Sequence, residues 1–394
     1  MYIFEDMPDL DGPSPYAMPA AEYLRRSKRE ESERVRELLK VYFSRYPEHH
    51  RSDLKGKLLS PDDRQHEAAA FELVMHEFFC RSGFEVEIHP KVANSPQTPD
   101  FLVSVSNEPK MFVELALATE VSDAEWRKAK LFNTVCDALN AVNSPDFFVW
   151  LRRRKMPNQE VSKRKLTAEV GRWLASLSYD KVLEREDADL ERMPKFLYAD
   201  RRLEIDLIAI PKQPQVRGDP SIRTLATTGV TSGWSKTAIS IESRLRDKSN
   251  KYGELQHPFV VALSVQSLTM DSDETMKALF GPVTCPINFV GDQPVPGQPY
   301  RQPGGVWLTK TGEPVNQRLS AALMVRGLVP WNLGSVRWKL YHNPWSFHDL
   351  EQDLLDVPQV IWDAGEPQEL KGEQISEKLD LWEGWPEGEL RNPT

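Results

Sequence analysis

Cysteine is scarce. The 394 residues hold three, Cys80, Cys136 and Cys285, spaced too widely for a disulfide framework or a zinc knot. A structural zinc site is therefore not expected, and a reducing compartment is favoured. Long apolar runs are missing as well, and no stretch approaches the length that spans a bilayer. Residues 1–19 carry acids and prolines where a secretory leader would carry basic residues and then an apolar run, so the expectation is a cytoplasmic chain without membrane association. The eight histidines are too scattered to suggest a triad, and the small-residue loop 227–233 lacks the Walker lysine that would cradle a nucleotide phosphate. There is no internal repeat. A net charge of −9 argues against polyanion binding by the whole surface but leaves local patches open.

What is present fits a globular chain with a full-sized core: 40% hydrophobic residues, 28% charged, and 30 prolines that imply many short connections. Residues 20–46 are dense in Arg, Lys and Glu with a sparse apolar repeat, as in a solvated N-terminal helix. A better-marked helix spans 61–82, with Ser60 as N-cap, Pro61 in the first turn, Asp62 and Asp63 at its positive end and Gly83 as its stop. After Gly83 the period becomes alternating, and strands are predicted near 84–88, 100–105 and 111–119, the last two joined by the turn Ser106 to Pro109. A helix over 123–142 follows, opened by a capping box of Ser122 and Glu125, and then a strand at 147–151. Beyond it the pattern predicts helices near 166–177 and 236–252 and strands at 203–210, 259–265, 305–308, 319–325 and 336–341. The whole is α/β.

Strand alternation supplies the first chemical clue. Asp100 opens one strand, and Glu114 shares a face of the next with Phe112, Ala116 and Ala118, so two carboxylates can converge. A paired Asp and Glu can hold one hard divalent cation, magnesium or manganese, which polarises a phosphodiester and activates water. An acid between Val113 and Leu115 in an apolar strand is costly to bury without such a partner.

The runs Thr98-Pro99-Asp100-Phe101-Leu102-Val103 and Phe112-Val113-Glu114-Leu115-Ala116, in the order helix, strand, strand, strand, helix, strand, resemble the PD-(D/E)xK restriction-endonuclease-like superfamily. The resemblance covers about a quarter of the chain. It implies an α/β restriction-endonuclease-like core with a mixed central sheet flanked by helices, Asp100 and Glu114 as ligands of magnesium, and Glu67 at the position of the family's accessory helix glutamate. Where the family has lysine two residues after the glutamate, this chain has Ala116. Some members take the lysine from the following helix, which points to Lys128, with Arg127 and Lys130 as alternatives. The runs Lys251-Tyr252-Gly253 and Tyr341-His342-Asn343-Pro344 look similar to large bacterial proteins built around this core.

The expected division is an N-terminal extension (1–58), one elaborated domain (59–362) and an acidic C-terminal arm (363–394). The expected activity is metal-dependent hydrolysis of DNA phosphodiester bonds. The alternative is an inactive nuclease-like module for nucleic-acid or protein binding, with Ala116 marking the loss. The basic run Arg152 to Lys155 with Lys163 to Lys165 could contact phosphates, though such runs are more often solvated. The stripe of Arg244, Lys248 and Lys251 invites the same reading, and the acids of Glu204-Ile205-Asp206 read as structural.

Overall fold

The computed structural model describes residues 3–5, 7–93, 95–119, 121–184, 190–219, 222–226, 237–266, 272–290, 293–363 and 366–388. The loop 227–233 lies outside them. The chain divides into two compact units: Met1–Leu10, Pro19–Glu120 and Trp234–Thr394 form one, Asp11–Met18 and Val121–Gly233 the other.

The first unit begins with α1 (Ala20–Arg26), α2 (Glu30–Arg45), α3 (Arg51–Leu58) and α4 (Asp63–Arg81), followed by β1 (Glu85–Ile88), β2 (Phe101–Val105) and β3 (Glu108–Thr119). The chain then builds the second unit from α5 (Asp123–Asn140), β4 (Phe147–Lys155), α6 (Lys163–Ala175), α7 (Tyr179–Leu183), β5 (Lys195–Ala199), β6 (Glu204–Pro211) and β7 (Leu225–Ala226). It re-enters the first unit with α8 (Thr237–Ser249), β8 (Phe259–Gln266) and α9 (Ser272–Phe280). Short ribbons β9 (Val283–Thr284), β10 (Ile287–Val290), β11 (Gln293–Pro296) and β12 (Tyr300–Arg301) come next. Strands β13 (Ala321–Arg326), β14 (Trp338–His342), β15 (Gln359–Asp363) and β16 (Glu366–Leu370) and helix α10 (Ile375–Lys378) complete it.

The large sheet runs β1-β2-β3-β8-β13-β14-β15-β16 and is mixed: β3, β8 and β13 are parallel neighbours, while β1, β2 and β3 form an antiparallel meander. The parallel centre explains why β8 is buried without a break from Phe259 to Val265 and is apolar there apart from Ser264, since it is covered on both faces. Val103, Met111 and Val113 pack with Phe71, Val74 and Phe78 of α4 on one face. Phe112, Ala116 and Ala118 pack with Ile241 and Leu245 of α8 on the other. In the second unit, Val135 and Leu139 of α5 share a core with Leu166 of α6, Val149 of β4 and Leu207 of β6.

Several expectations change in the structure. Helix α4 starts later than Ser60 suggests: the N-cap is Asp62, whose carboxylate accepts from the Arg64 amide at 3.1 Å, while Ser60 Oγ accepts from the Asp62 amide and shapes the turn before it. Residues 305–307 form a turn, and Leu308 makes an isolated antiparallel bridge to Pro314 in place of the expected strand. The N-terminal helices of residues 1–58 are less solvated than their charge suggests, because Leu24, Val35, Leu39 and Tyr42 are fully buried in the main core. The C-terminal segment is anchored there too, through Ile375, Leu379 and Trp385. Helix α5, expected on the central sheet, buries its stripe in the core of the second unit. Its predicted capping box is present.

Candidate functional site

Strands β2 and β3 pair with Phe101 opposite Val113, so Asp100 and Glu114 face each other one step beyond the last paired position. The ladder is closed there by the Asp100 side chain, whose Oδ2 accepts from the Leu115 amide at 2.6 Å, while the Asp100 carbonyl accepts from the His89 amide at 2.9 Å. Leu102 and Phe112 contribute to the core on the α8 side, and period-two alternation places both carboxylates on that same face.

Glu114 is 1% exposed. Its Oε1 accepts from Lys248 Nζ at 2.5 Å and from Lys251 Nζ at 2.9 Å, and its Oε2 accepts from the Tyr252 phenol. These three partners lie in the last turn of α8 and just beyond it, before Gly253, whose φ of 75° turns the chain toward β8. Ile241, Leu245, Lys248 and Tyr252 recur at helical spacing, so the buried stripe of α8 runs directly into the clasp. Burial, and then the hydrogen bond to Glu114 and its charge, pushes the Tyr252 phenol well above its usual range.

Asp100 is half-buried, and its carboxyl is raised to about 7, first by burial and then by the negative charge of Glu114. Glu72 of α4 adds to the rise, whereas the Leu115 amide and the Lys248 charge oppose it. Glu72 itself accepts from the Tyr46 phenol. Close by in charge, Lys57 pairs with Asp53 at 2.6 Å. Burial works against the Lys57 ammonium, yet the bond to Asp53 and the charges of Glu72, Asp53 and Asp100 hold it above its ordinary value.

The expected residues fare unequally. Asp100 and Glu114 come together. Glu67 is half-buried on α4 and raised to about 7 by burial, then by Asp63 and Asp62; the acid of α4 whose charge reaches Asp100 is Glu72. Lys128, Arg127 and Lys130 are exposed on α5, in the other unit. The ammoniums on Glu114 belong to Lys248 and Lys251, whose stripe the sequence displays but whose partner it hides. The acids of β6 take a structural place, since Asp206 pairs with Arg152, its register partner on β4, at 3.1 Å.

Among the described residues no three side-chain donors converge as a complete metal shell. A hard cation here would take the Asp100 and Glu114 carboxylates and fill its remaining positions with water, which is how magnesium is usually held. The crowding that raises Asp100 is what such a cation would relieve. Among the described residues no helix is long and apolar enough to cross a membrane. Comparison with protein-family models, with curated proteins and with solved structures found no match to this chain.

Proposed function

We propose that the first unit is a metal-dependent phosphodiesterase of the PD-(D/E)xK type acting on DNA, with Asp100 and Glu114 as ligands of magnesium or manganese. The observation that carries this reading is the meeting, across the α8 face, of a carboxyl raised to about 7 with a buried glutamate that holds two ammoniums. Perturbed carboxyls beside cations are characteristic of reactive sites. Lys248 and Lys251 supply what Ala116 lacks. A phosphate drawn to these ammoniums would have its developing charge neutralised in a partly dehydrated setting, where such contacts count most. The bound cation would lower the pKa of an attacking water. Glu72 would act as the accessory acid of α4 in place of Glu67.

The other reading, a non-catalytic binding module, draws on the same clasp, because both oxygens of Glu114 are engaged by neighbours. Metal separates the two. With magnesium or manganese at a hundredfold over its dissociation constant, the folded chain should gain about 2.7 kcal/mol by mass action. Its melting temperature should rise and it should cut linear, supercoiled or single-stranded DNA, and Asp100→Ala should abolish both effects. A melting curve indifferent to both cations, together with uncut substrates, favours the binding module; cleavage that survives Asp100→Ala puts the chemistry elsewhere.

A further inference from the structure

A pocket of about 580 Å³ opens on the α8 face of the sheet, wholly within the first unit. Its floor is Leu102 and Phe112, which stand on the same strands and the same face as Asp100 and Glu114, two residues away. At about 3.3 Å per strand residue this is one pleat, roughly 6.6 Å, from the carboxylate pair. The loop that walls the pocket, Glu254 to His257, follows directly on Lys251 and Tyr252 of the clasp, and the Phe112 amide donates to the carbonyl of Pro258 at 2.8 Å to hold that loop in place. Floor and wall are therefore built from the elements that build the site.

The chemistry of the lining is mixed. Lys91, His257 and His348 bring cationic or hydrogen-bonding groups to the walls, and Glu254 brings one acceptor. Phe112 and His257 place two rings 6.1 Å apart, centre to centre, inclined at 46°. Apolar side chains, an imidazole beside Phe112 and basic groups in one lining suit a nucleobase with its phosphate. Pockets of this volume normally hold small organic groups.

We propose that this pocket receives the base next to the scissile phosphate, so that the substrate is a single strand or a frayed end. This rests on the phosphodiesterase reading for the position of that phosphate. With one phosphate at Asp100 and Glu114, the neighbouring nucleotide reaches the pocket floor. A base stacked and paired inside a duplex cannot enter without being extruded.

The test is equilibrium binding of a 5′-labelled oligothymidylate of about ten nucleotides, a length within the range that such sites span, to the full chain in EDTA, read by fluorescence anisotropy. Two variants attack opposite walls: Ala93→Trp, which fills the pocket from an exposed lining position, and the pair His257→Ala with His348→Ala. Each should weaken single-strand binding about tenfold, the order that loss of one base stack predicts. A duplex of the same length should bind more weakly and respond less. Unchanged single-strand affinity in both variants overturns the proposal, as does a duplex that binds equally well and feels the same substitutions. Because no cleavage is needed in EDTA, pocket-dependent binding stands even if the chain cuts nothing. Cleavage with pocket-independent binding sinks the pocket alone.

Discussion

The two units each place an acid in the middle of an apolar strand, and they neutralise it differently. In the second unit Asp206, between Ile205 and Leu207, lies across the ladder from Arg152 and pairs with it at 3.1 Å. In the first unit Glu114, between Val113 and Leu115, receives two ammoniums and a phenol from the end of α8 and the turn after it, more than 130 positions away in sequence, while Asp100 opposite it is pushed up to about 7. A cross-strand pair is an ordinary way to satisfy a sheet. A second carboxyl raised beside an already neutralised one is not, and a carboxyl perturbed by burial together with a specific charge is a candidate reactive group.

The contrast is broken most forcefully at the acids themselves. Glu114→Ala should reduce cleavage by about a thousandfold, the scale of losing a principal electrostatic group. It should also destabilise the chain by roughly 2–3 kcal/mol, below the full cost of breaking a buried pair because both ammoniums keep contact with water. Asp206→Ala should leave cleavage as it was and cost roughly 1 kcal/mol, the scale of an ion pair with a half-exposed arginine whose Nε and Nη2 both reach the carboxylate. Steady-state cleavage and chemical denaturation read both numbers, and equal effects on cleavage would erase the distinction between the units.

Next come the ammoniums. Lys248→Ala and Lys251→Ala should each lower kcat by about a hundredfold, with the double variant losing less than the product of the two because they act on one carboxylate. Lys128→Ala should change nothing measurable. Loss with Lys128→Ala and none at Lys248 or Lys251 would return the catalytic charge to α5.

A smaller effect concerns pH in the metal-free protein. A carboxyl whose folded value lies above its unfolded one binds more protons in the native state between the two values, so the stability it contributes falls as pH rises from about 4 through about 7. Asp100→Asn should flatten this fall and stabilise the chain at pH 8 by on the order of 2 kcal/mol, after discounting for the water that reaches the group. Glu67, also raised to about 7, contributes with the same sign, so Glu67→Gln is the control: it should remove its own share and leave that of Asp100. Urea melts across this range check it, and a wild type of constant stability would contradict it. Smallest of all, Ser122→Ala should cost about 1 kcal/mol by removing the cap of α5, without touching cleavage. Cleavage that falls with the cap would mean that the second unit takes part in the chemistry.

The carboxylate pair was legible because strand alternation is a local rule: Asp100 and Glu114 are set by two short runs joined by a turn. The lysines were half legible. Lys248 continues the Ile241 and Leu245 stripe, and a lysine on a buried stripe demands an acid, but a basic helix surface is the commoner case and the sequence names no partner. Glu67 and Glu72 sit five residues apart on α4, and the alternation of a helix alone does not say which lies at the end nearer β2.

By itself the sequence determined the α/β class, the existence of the helix before Gly83 though not its cap, the capping box at Ser122, the hairpin and the facing acids, since each follows from propensity, periodicity or register over a few residues. Only the tertiary structure decided which helix crosses over β3. The segment 121–233 folds as its own unit, so α5, next in sequence, is replaced beside β3 by α8, and β8 returns parallel to β3 from far along the chain. Local patterning carries no record of such an interruption: α5 and α8 have similar amphipathic stripes, and what assigns each to its sheet is the burial of those stripes in separate cores.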